Sequence, residues 1–394
     1  MKTIQQVIGE AANIFEKKFG ALNNTHVGWS PGRVNLIGEY TDLNNGFVMP
    51  MTIDQGIAVL LRPRDDSKIT TYTETLQDTA AFSLDTAEAS RLPHWARYIF
   101  GVSTLSRKQG CELLGFDAVI HSNMSTNGGV SSSAAFCTAT AMAIQSAASW
   151  TLKPQAMALL CQTVEHQFAG VMCGIMDQMA CRLGKPDTAI FIDCASLEAT
   201  PVPVPSNQAE LLVIDSGVSR SLYESEYNTR RIECEEATKA IQALGHAVND
   251  LRSVSDELFQ SVEASLPDNL RKRCRHVISE NERVLLARQA LEASRLDEFG
   301  TLMYDSHHSL RVDFEVSVDE LDQIVSSAET CSEVFGARLT GAGFGGNAIA
   351  LIKPGTAEYA TQIIAEQFEA RFKRKPDIHH VSRPTQAQGY KFNA

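Results

Sequence analysis

The residues best placed by type and spacing to do chemistry are Ser125-Thr126-Asn127-Gly128-Gly129-Val130-Ser131-Ser132-Ser133-Ala134-Ala135. An apolar, strand-like run, Phe116 to Ile120, precedes them, and an Ala-rich segment with high helix propensity follows to Trp150. The order is strand, glycine loop, helix start, with hydroxyls where the first-turn N–H groups of a helix lack internal partners. Two glycines let the backbone approach phosphate oxygens closely, and free N–H groups at the positive end of the helix dipole stabilise an anion. Alone, the pattern fits an ordinary serine-capped helix equally well.

Acidic residues gather in two other places. Between Pro31 and Pro50 an apolar strand carrying Arg33 ends in a polar loop with Glu39 and Asp42, and Asn45-Gly46 marks a tight turn. The plain reading is an exposed hairpin with solvated acids. Two carboxylates and a guanidinium beside an apolar strand can instead orient a polyol, whose hydroxyls each need a partner once desolvated. Farther on, Glu165 lies near the end of a helical segment from Pro154 to Phe168, and Asp177 follows in Gly174-Ile175-Met176-Asp177-Gln178. An acid in an apolar run costs free energy unless it is paired or working, and a helix-capping aspartate is the alternative.

A second glycine stretch, Gly341-Ala342-Gly343-Phe344-Gly345-Gly346, satisfies G-x-G-x-x-G. The residues after it alternate toward a strand, whereas the dinucleotide motif must open a helix, so a hairpin-like glycine turn is expected. Gly184-Lys185 runs into Pro186, which excludes a P-loop, and no H-R-D catalytic loop of protein kinases occurs.

The elements that must position these residues belong to a soluble globular chain of 394 residues, 44% hydrophobic and 21% charged, long enough for two domains. A net charge of -12 argues against nucleic-acid or membrane-surface partners, which favour a basic face. Nine cysteines without a C-x-x-C pair suit reduced core thiols, and neither a signal peptide nor an apolar run long enough to span a membrane is visible. Helices are expected over Ile4 to Phe19, from Glu226 to Leu244, from Asp297 to Leu310 and from Thr356 to Phe372. Thr200-Pro201-Val202-Pro203-Val204-Pro205 reads as a linker, and the basic run Arg271, Lys272, Arg273, Arg275 and His276 as a solvated helix face.

Three separated segments carry a family resemblance. Gly32-Arg33-Val34-Asn35-Leu36-Ile37-Gly38-Glu39-Tyr40-Thr41-Asp42 resembles the N-terminal signature of galactokinases. Gly129-Val130-Ser131-Ser132-Ser133-Ala134 resembles the phosphate loop of the galactokinase, homoserine kinase, mevalonate kinase and phosphomevalonate kinase (GHMP) superfamily, and Leu339-Thr340-Gly341-Ala342-Gly343-Phe344-Gly345-Gly346 is similar to its third motif. Gly174 to Gln178 and Ser225-Glu226-Tyr227-Asn228-Thr229-Arg230-Arg231 also look like galactokinase segments, in the expected order.

The resemblance implies an α+β, two-domain GHMP kinase-like fold with the active site in the interdomain cleft, divided here as 1–205 and 206–394. It implies ATP-dependent phosphorylation of the anomeric hydroxyl of galactose, giving galactose 1-phosphate and ADP, with Mg2+. Asp177 matches the catalytic aspartate that accepts or orients the hydroxyl proton, and Arg33 the cation beside it. Glu39, Tyr40, Asp42, Gly174 and Tyr227 match sugar-contacting positions; Ser133 and Glu165 match the metal ligands. Asn127, Gly128, Gly129, Val130, Ser131, Ser132, Ser133 and Ala134 match the loop that holds ATP, and Trp95 an aromatic lining the adenine pocket. A cytoplasmic monomer or weak dimer is expected, with sugar and ATP as its small-molecule partners.

Some positions depart from the family pattern. Tyr40 stands where galactokinases usually carry histidine, which with the preceding glutamate faces the sugar's 6-hydroxyl. Ser125, Asn127 and Val130 replace the usual proline, first glycine and leucine of the loop, and Ala342 replaces a glycine. This clustering leaves two alternatives: a kinase of another sugar, such as a uronic acid, arabinose or an amino sugar, or a non-catalytic sugar sensor. Glu39 weighs against a uronic acid by like-charge repulsion. Ser131 to Ala134, Asp177 and Arg33 weigh against the sensor, which needs neither phosphate loop nor base.

Overall fold

Strands in this chain collect into two sheets, seen in a computed structural model that describes residues 2–112, 114–124, 129–148, 150–218, 223–381 and 384–393, without the side chains of 223–225. The larger sheet runs Gln388–Lys391, His26–Asn35, Pro50–Arg64, Gly115–Ser122, Lys68–Thr73, Asp78–Ser83 along its main path. The Lys68–Thr73 and Gly115–Ser122 strands pair in parallel, as a crossover through the helix His94–Lys108 requires. The smaller sheet is antiparallel, ordered Val334–Leu339, Asn347–Ile352, Glu210–Asp215, Asp377–Val381.

The smaller sheet is buried on both faces, and strand alternation divides its side chains between two cores. Leu211, Val213, Ile349 and Leu351 join Val34, Met51 and Ile53 of the larger sheet. Leu212, Ile214, Ala348, Ala350 and Ile352 pack instead under helices that supply Val277, Leu310, Leu321, Ile364 and Phe368. The first helix, Ile4–Phe19, opens on a capping box between Thr3 and Gln6 and stops at Gly20. It lays Val7, Ile8, Ala11 and Phe15 on Val27, Trp29 and Leu60 of the larger sheet.

Two sequence expectations change, and one strand is added. The proline-rich segment is no linker: Glu198–Pro203 is a strand paired with Thr188–Asp193. Val202 and Val204 point inward and the prolines outward, and missing N–H groups are tolerated at a sheet edge. The basic run is not wholly solvated, because Arg273 and His276 are buried, Arg273 between Glu233 and Glu315. A final strand, Gln388–Lys391, carries no marked sequence signal, and it pairs with His26–Trp29. We propose a division near residue 205, where the chain passes from the larger sheet to the smaller, with that closing strand counted with the first unit.

Candidate active site

The strand His26–Asn35 shifts register against Pro50–Arg64 between Pro31 and Arg33, a bulge that re-aims the end of the strand. Past it, Arg33 N donates to Val130 O at 3.0 Å and Arg33 Nη1 to Gly129 O at 3.0 Å, so the strand is stitched to the glycine loop. Its Nε and Nη2 both reach Asp177 Oδ1, at 2.8 and 2.5 Å. Burial works against the Arg33 charge, but Asp177 outweighs it and holds the guanidinium above its ordinary value. Asp177 sits in the first turn of the helix Met176–Leu183. Its other oxygen takes the Ser131 hydroxyl at 2.5 Å. Ser131 is left-handed, with φ 59, and makes no side-chain cap on the helix Ser132–Ala147. The serine-capped reading of this segment is thereby corrected, because the hydroxyl serves the aspartate.

Glu165 reaches the same place from another direction. The helix Pro154–Val164 widens into a π turn, Glu165–Ala169, closed by left-handed Gly170. The turn leaves Glu165 3% exposed, with Oε2 accepting from Ser133 Oγ at 3.0 Å and Oε1 from Gln178 Nε2 at 2.7 Å. Burial, then the charge of Asp177, pushes the Glu165 carboxyl up to about 7. A cation would relieve that strain, and Ser133 with Glu165 offers the hard oxygen donors that Mg2+ takes. Among the described residues no three His, Cys, Asp or Glu side chains form a metal cluster.

Beside Asp177 opens a pocket with about 440 Å3 of empty space, its solvent-filled mouth included. Arg33, Glu39, Tyr40 and Asp42 line it from the first signature, Gly174 and Asp177 from the middle of the chain, and Tyr227, Gly341 and Ala342 from the C-terminal half. A Cβ at Gly174 would stand 1.9 Å from Asp42 Oδ2, so glycine is required for that carboxylate to lie where it does. Burial, then the charge of Asp177, raises Asp42 to about 7. Tyr40 has φ 65, uncommon for an aromatic residue, and donates its hydroxyl to Ala342 O at 2.6 Å. Its ring packs against Phe314 at 4.4 Å and Tyr227 at 5.5 Å between centroids. Gly341, Gly343, Gly345 and Gly346 have positive φ and Ala342 does not, so the extra methyl needs no left-handed backbone.

The structure thus gathers Arg33, Glu39, Tyr40, Asp42, Gly174, Asp177 and Tyr227 around one pocket, with Ser131, Ser133 and Glu165 at its Asp177 end. Ser132 and Ala134 belong to the helix start, while Asn127 and Gly128 lie outside the described residues. Trp95 does not line this pocket: it is half-buried and donates to Asp78 Oδ2 at 2.9 Å. It lies one turn from Tyr98, whose ring meets Phe136 of the helix behind the phosphate loop.

The glycine turn, the paired Arg33 and Asp177, and the acidic pocket are joined by matches along the chain. Residues 13–63 match the galactokinase galactose-binding signature, residues 97–185 the GHMP kinases N terminal domain, and residues 287–370 the GHMP kinases C terminal domain. A galactokinase of a Roseiflexus species is 40% identical over 371 residues, 94% of each chain. The chain belongs to the galactokinase family. The galactokinase of Chloroflexus aurantiacus is likewise 40% identical, over 92% of each chain. A crystal structure of Lactococcus lactis galactokinase complexed with galactose superposes with a TM-score of 0.90 at 31% identity, covering 98% of this chain and 100% of that one. The Methanococcus jannaschii mevalonate kinase, at 18% identity and a TM-score of 0.66 over 93% of this chain and 98% of its own, shares the fold.

Several residues of this galactokinase site escaped sequence reasoning. Cys173 and Met176 line the pocket, Gln178 holds Glu165, and Arg338 pairs with Glu39. Gln178 adjoins Asp177 and Arg338 adjoins the third glycine motif, but neither position shows a periodicity that marks a function.

Proposed function

We infer that this chain transfers the γ-phosphoryl group of ATP to the anomeric hydroxyl of galactose, releasing galactose 1-phosphate and ADP. The observation that carries the reading is Asp177, held by Arg33 on one oxygen and Ser131 on the other where the glycine loop meets the acidic pocket. A sugar whose C1 hydroxyl meets Asp177 gives its proton to, or is oriented by, that carboxylate as the oxygen attacks phosphorus. Arg33 stabilises charge on the transferring group, in a site arranged before the reaction begins. Glu39, Asp42, Tyr40, Gly174 and Tyr227 hold the sugar, with Asp42 and Glu39 as acceptors for its hydroxyls.

Residues 129–134 cradle the phosphates through backbone N–H groups and the helix start, Asn127 and Gly128 belong to the same ATP-binding segment, and Trp95 borders the adenine. Ser133 and Glu165 would hold Mg2+, which would supply neutralisation of the phosphate charge. The protein acts in the cytoplasm, in keeping with nine free thiols, and as a monomer or weak dimer. The test is a panel of free sugars with ATP and Mg2+, followed by ADP release. Galactose should give the highest kcat/KM; no ADP with any monosaccharide would sink the reading.

A further inference from the structure

Behind the sugar pocket lies a line of buried charges to which the reaction assigns no task. Arg338, in the strand Val334–Leu339, is fully buried. Its Nη1 bonds Glu39 Oε2 and, at 3.2 Å, Asn35 O, and its Nη2 lies 3.9 Å from Glu280 Oε1. Glu280 pairs with Arg283 at 2.7 Å and accepts from Gly38 N at 2.9 Å and Ser306 Oγ at 2.6 Å. The loop that carries Glu39 is therefore gripped by the C-terminal half of the chain. His276 adds a contact at 3.1 Å to Glu39 O.

Stability alone explains Arg338 poorly. Its Nε and Nη2 have no hydrogen-bond partner among the described residues, and buried ion pairs are often replaced by apolar side chains without loss. The geometry is orderly around Glu39 instead. Oε2 accepts from Arg338 Nη1 and from Asn35 Nδ2 at 2.9 Å. Oε1 accepts from Gly341 N at 2.8 Å and has only a long 3.5 Å contact with Thr340 Oγ1. A carboxylate offers about four acceptor positions, so one oxygen is saturated and the other keeps room for a hydroxyl. Glu39 lines the pocket with 1% of its surface exposed, so a ligand could meet Oε1 only from the pocket side. Burial pushes the Glu39 carboxyl above its ordinary range, and Arg338 with the Gly341 N–H opposes the push.

We propose that Arg338 is a positioning residue for sugar recognition: without touching substrate, it holds Glu39 as an oriented carboxylate whose Oε1 accepts a sugar hydroxyl. The proposal rests on the reading of this pocket as the galactose site.

Arg338→Met, Glu39→Gln and the double variant decide it. Arg338→Met should raise the KM for galactose about tenfold, the size of one lost hydrogen bond to a charged group. The KM for ATP and kcat at saturating galactose should stay within about threefold, and Tm should fall because Glu39 is left buried without its cation. In Arg338→Met/Glu39→Gln the uncompensated charge is gone, so Tm recovers while the galactose KM stays at the Glu39→Gln value. An Arg338 that is merely structural would recover both together, and an unchanged galactose KM in folded Arg338→Met would equally overturn the proposal. If Arg338→Met does not fold, Arg338→Lys, which keeps charge but not the planar fork, should show an intermediate KM; a wild-type KM there overturns it. Should the wild type consume no ATP with galactose, the reaction itself is misread. Calorimetric binding of galactose to wild type and Arg338→Met then decides Arg338, unequal affinities supporting the role and equal ones ending it.

Discussion

Ser131 turns its hydroxyl away from the helix it precedes and donates it to Asp177 Oδ2 at 2.5 Å. Arg33 holds the opposite oxygen through two nitrogens, so the carboxylate is fixed on both sides before substrate arrives. The left-handed backbone of Ser131 is what aims the hydroxyl there, at the expense of a helix cap.

Asp177→Asn keeps the shape of the group and removes its capacity to take a proton. kcat should fall by about 10²- to 10⁴-fold, the usual worth of a general base, while galactose binding measured by calorimetry stays within a few-fold. Full activity in this variant would overturn the role. Ser131→Ala removes one of the two restraints and should lower kcat by roughly tenfold.

Asp42 should make sugar binding depend on pH. Its carboxyl is raised to about 7, so below that pH the empty pocket holds it protonated, and a protonated carboxyl has lost acceptor capacity toward sugar hydroxyls. The dissociation constant for galactose should rise by about tenfold per unit below pH 7 and level off above it. Stability of the empty protein runs the other way. The unfolded chain releases this proton near 3.8 and the folded one near 7, so Tm should decline as pH rises from about 4 to about 7. Asp42→Asn should flatten both profiles; titration calorimetry and thermal unfolding across pH 5 to 8 would expose either failure.

Sequence reading anticipated local structure well where local chemistry repeats the global requirement. The glycine loop before an Ala-rich helix, Asn45-Gly46, and Gly170 closing the turn after Glu165 are written within a few residues of where they act. It failed where a neighbour distant in sequence decides. Ser131 has the type and position of a cap, and only Asp177, brought alongside by folding, diverts it. Arg273 looks like one more surface cation until Glu233 and Glu315 enclose it. Pro201 and Pro203 suggest an extended linker, yet Val202 and Val204 alternate with them and are buried as a strand requires, a period-two signal that the prolines mask.

Tyr40 should tune which sugar is taken. Its hydroxyl closes one wall of the pocket onto Ala342 O, and a shorter imidazole would open that wall and present a nitrogen to the ligand. Tyr40→His should raise the ratio of kcat/KM for galactose over its 6-deoxy analogue. An unchanged ratio removes Tyr40 from specificity. Tyr40→Phe deletes the donor to a buried carbonyl and should lower stability by about 1–3 kcal/mol in urea unfolding.

Gln178 should act on the nucleotide and leave the sugar alone. The side chain is fully buried and donates to Glu165 Oε1 at 2.7 Å, which fixes the carboxylate plane and turns Oε2 toward Ser133. Its Nε2 also donates weakly to Cys173 Sγ at 3.4 Å, and its own Oε1 has no hydrogen-bond partner among the described residues, so an apolar replacement forfeits one strong bond and one weak one. Gln178→Met should therefore fold with little loss and bind galactose normally. A hydrogen bond to a charged group is worth about 1.5 kcal/mol or more, so the KM for ATP with Mg2+ should rise roughly tenfold. Calorimetric binding of ATP with Mn2+ in place of Mg2+ should weaken by the same factor, with no such difference in the metal's absence. Equal weakening with and without metal would mean that Gln178 supports the loop and not Glu165.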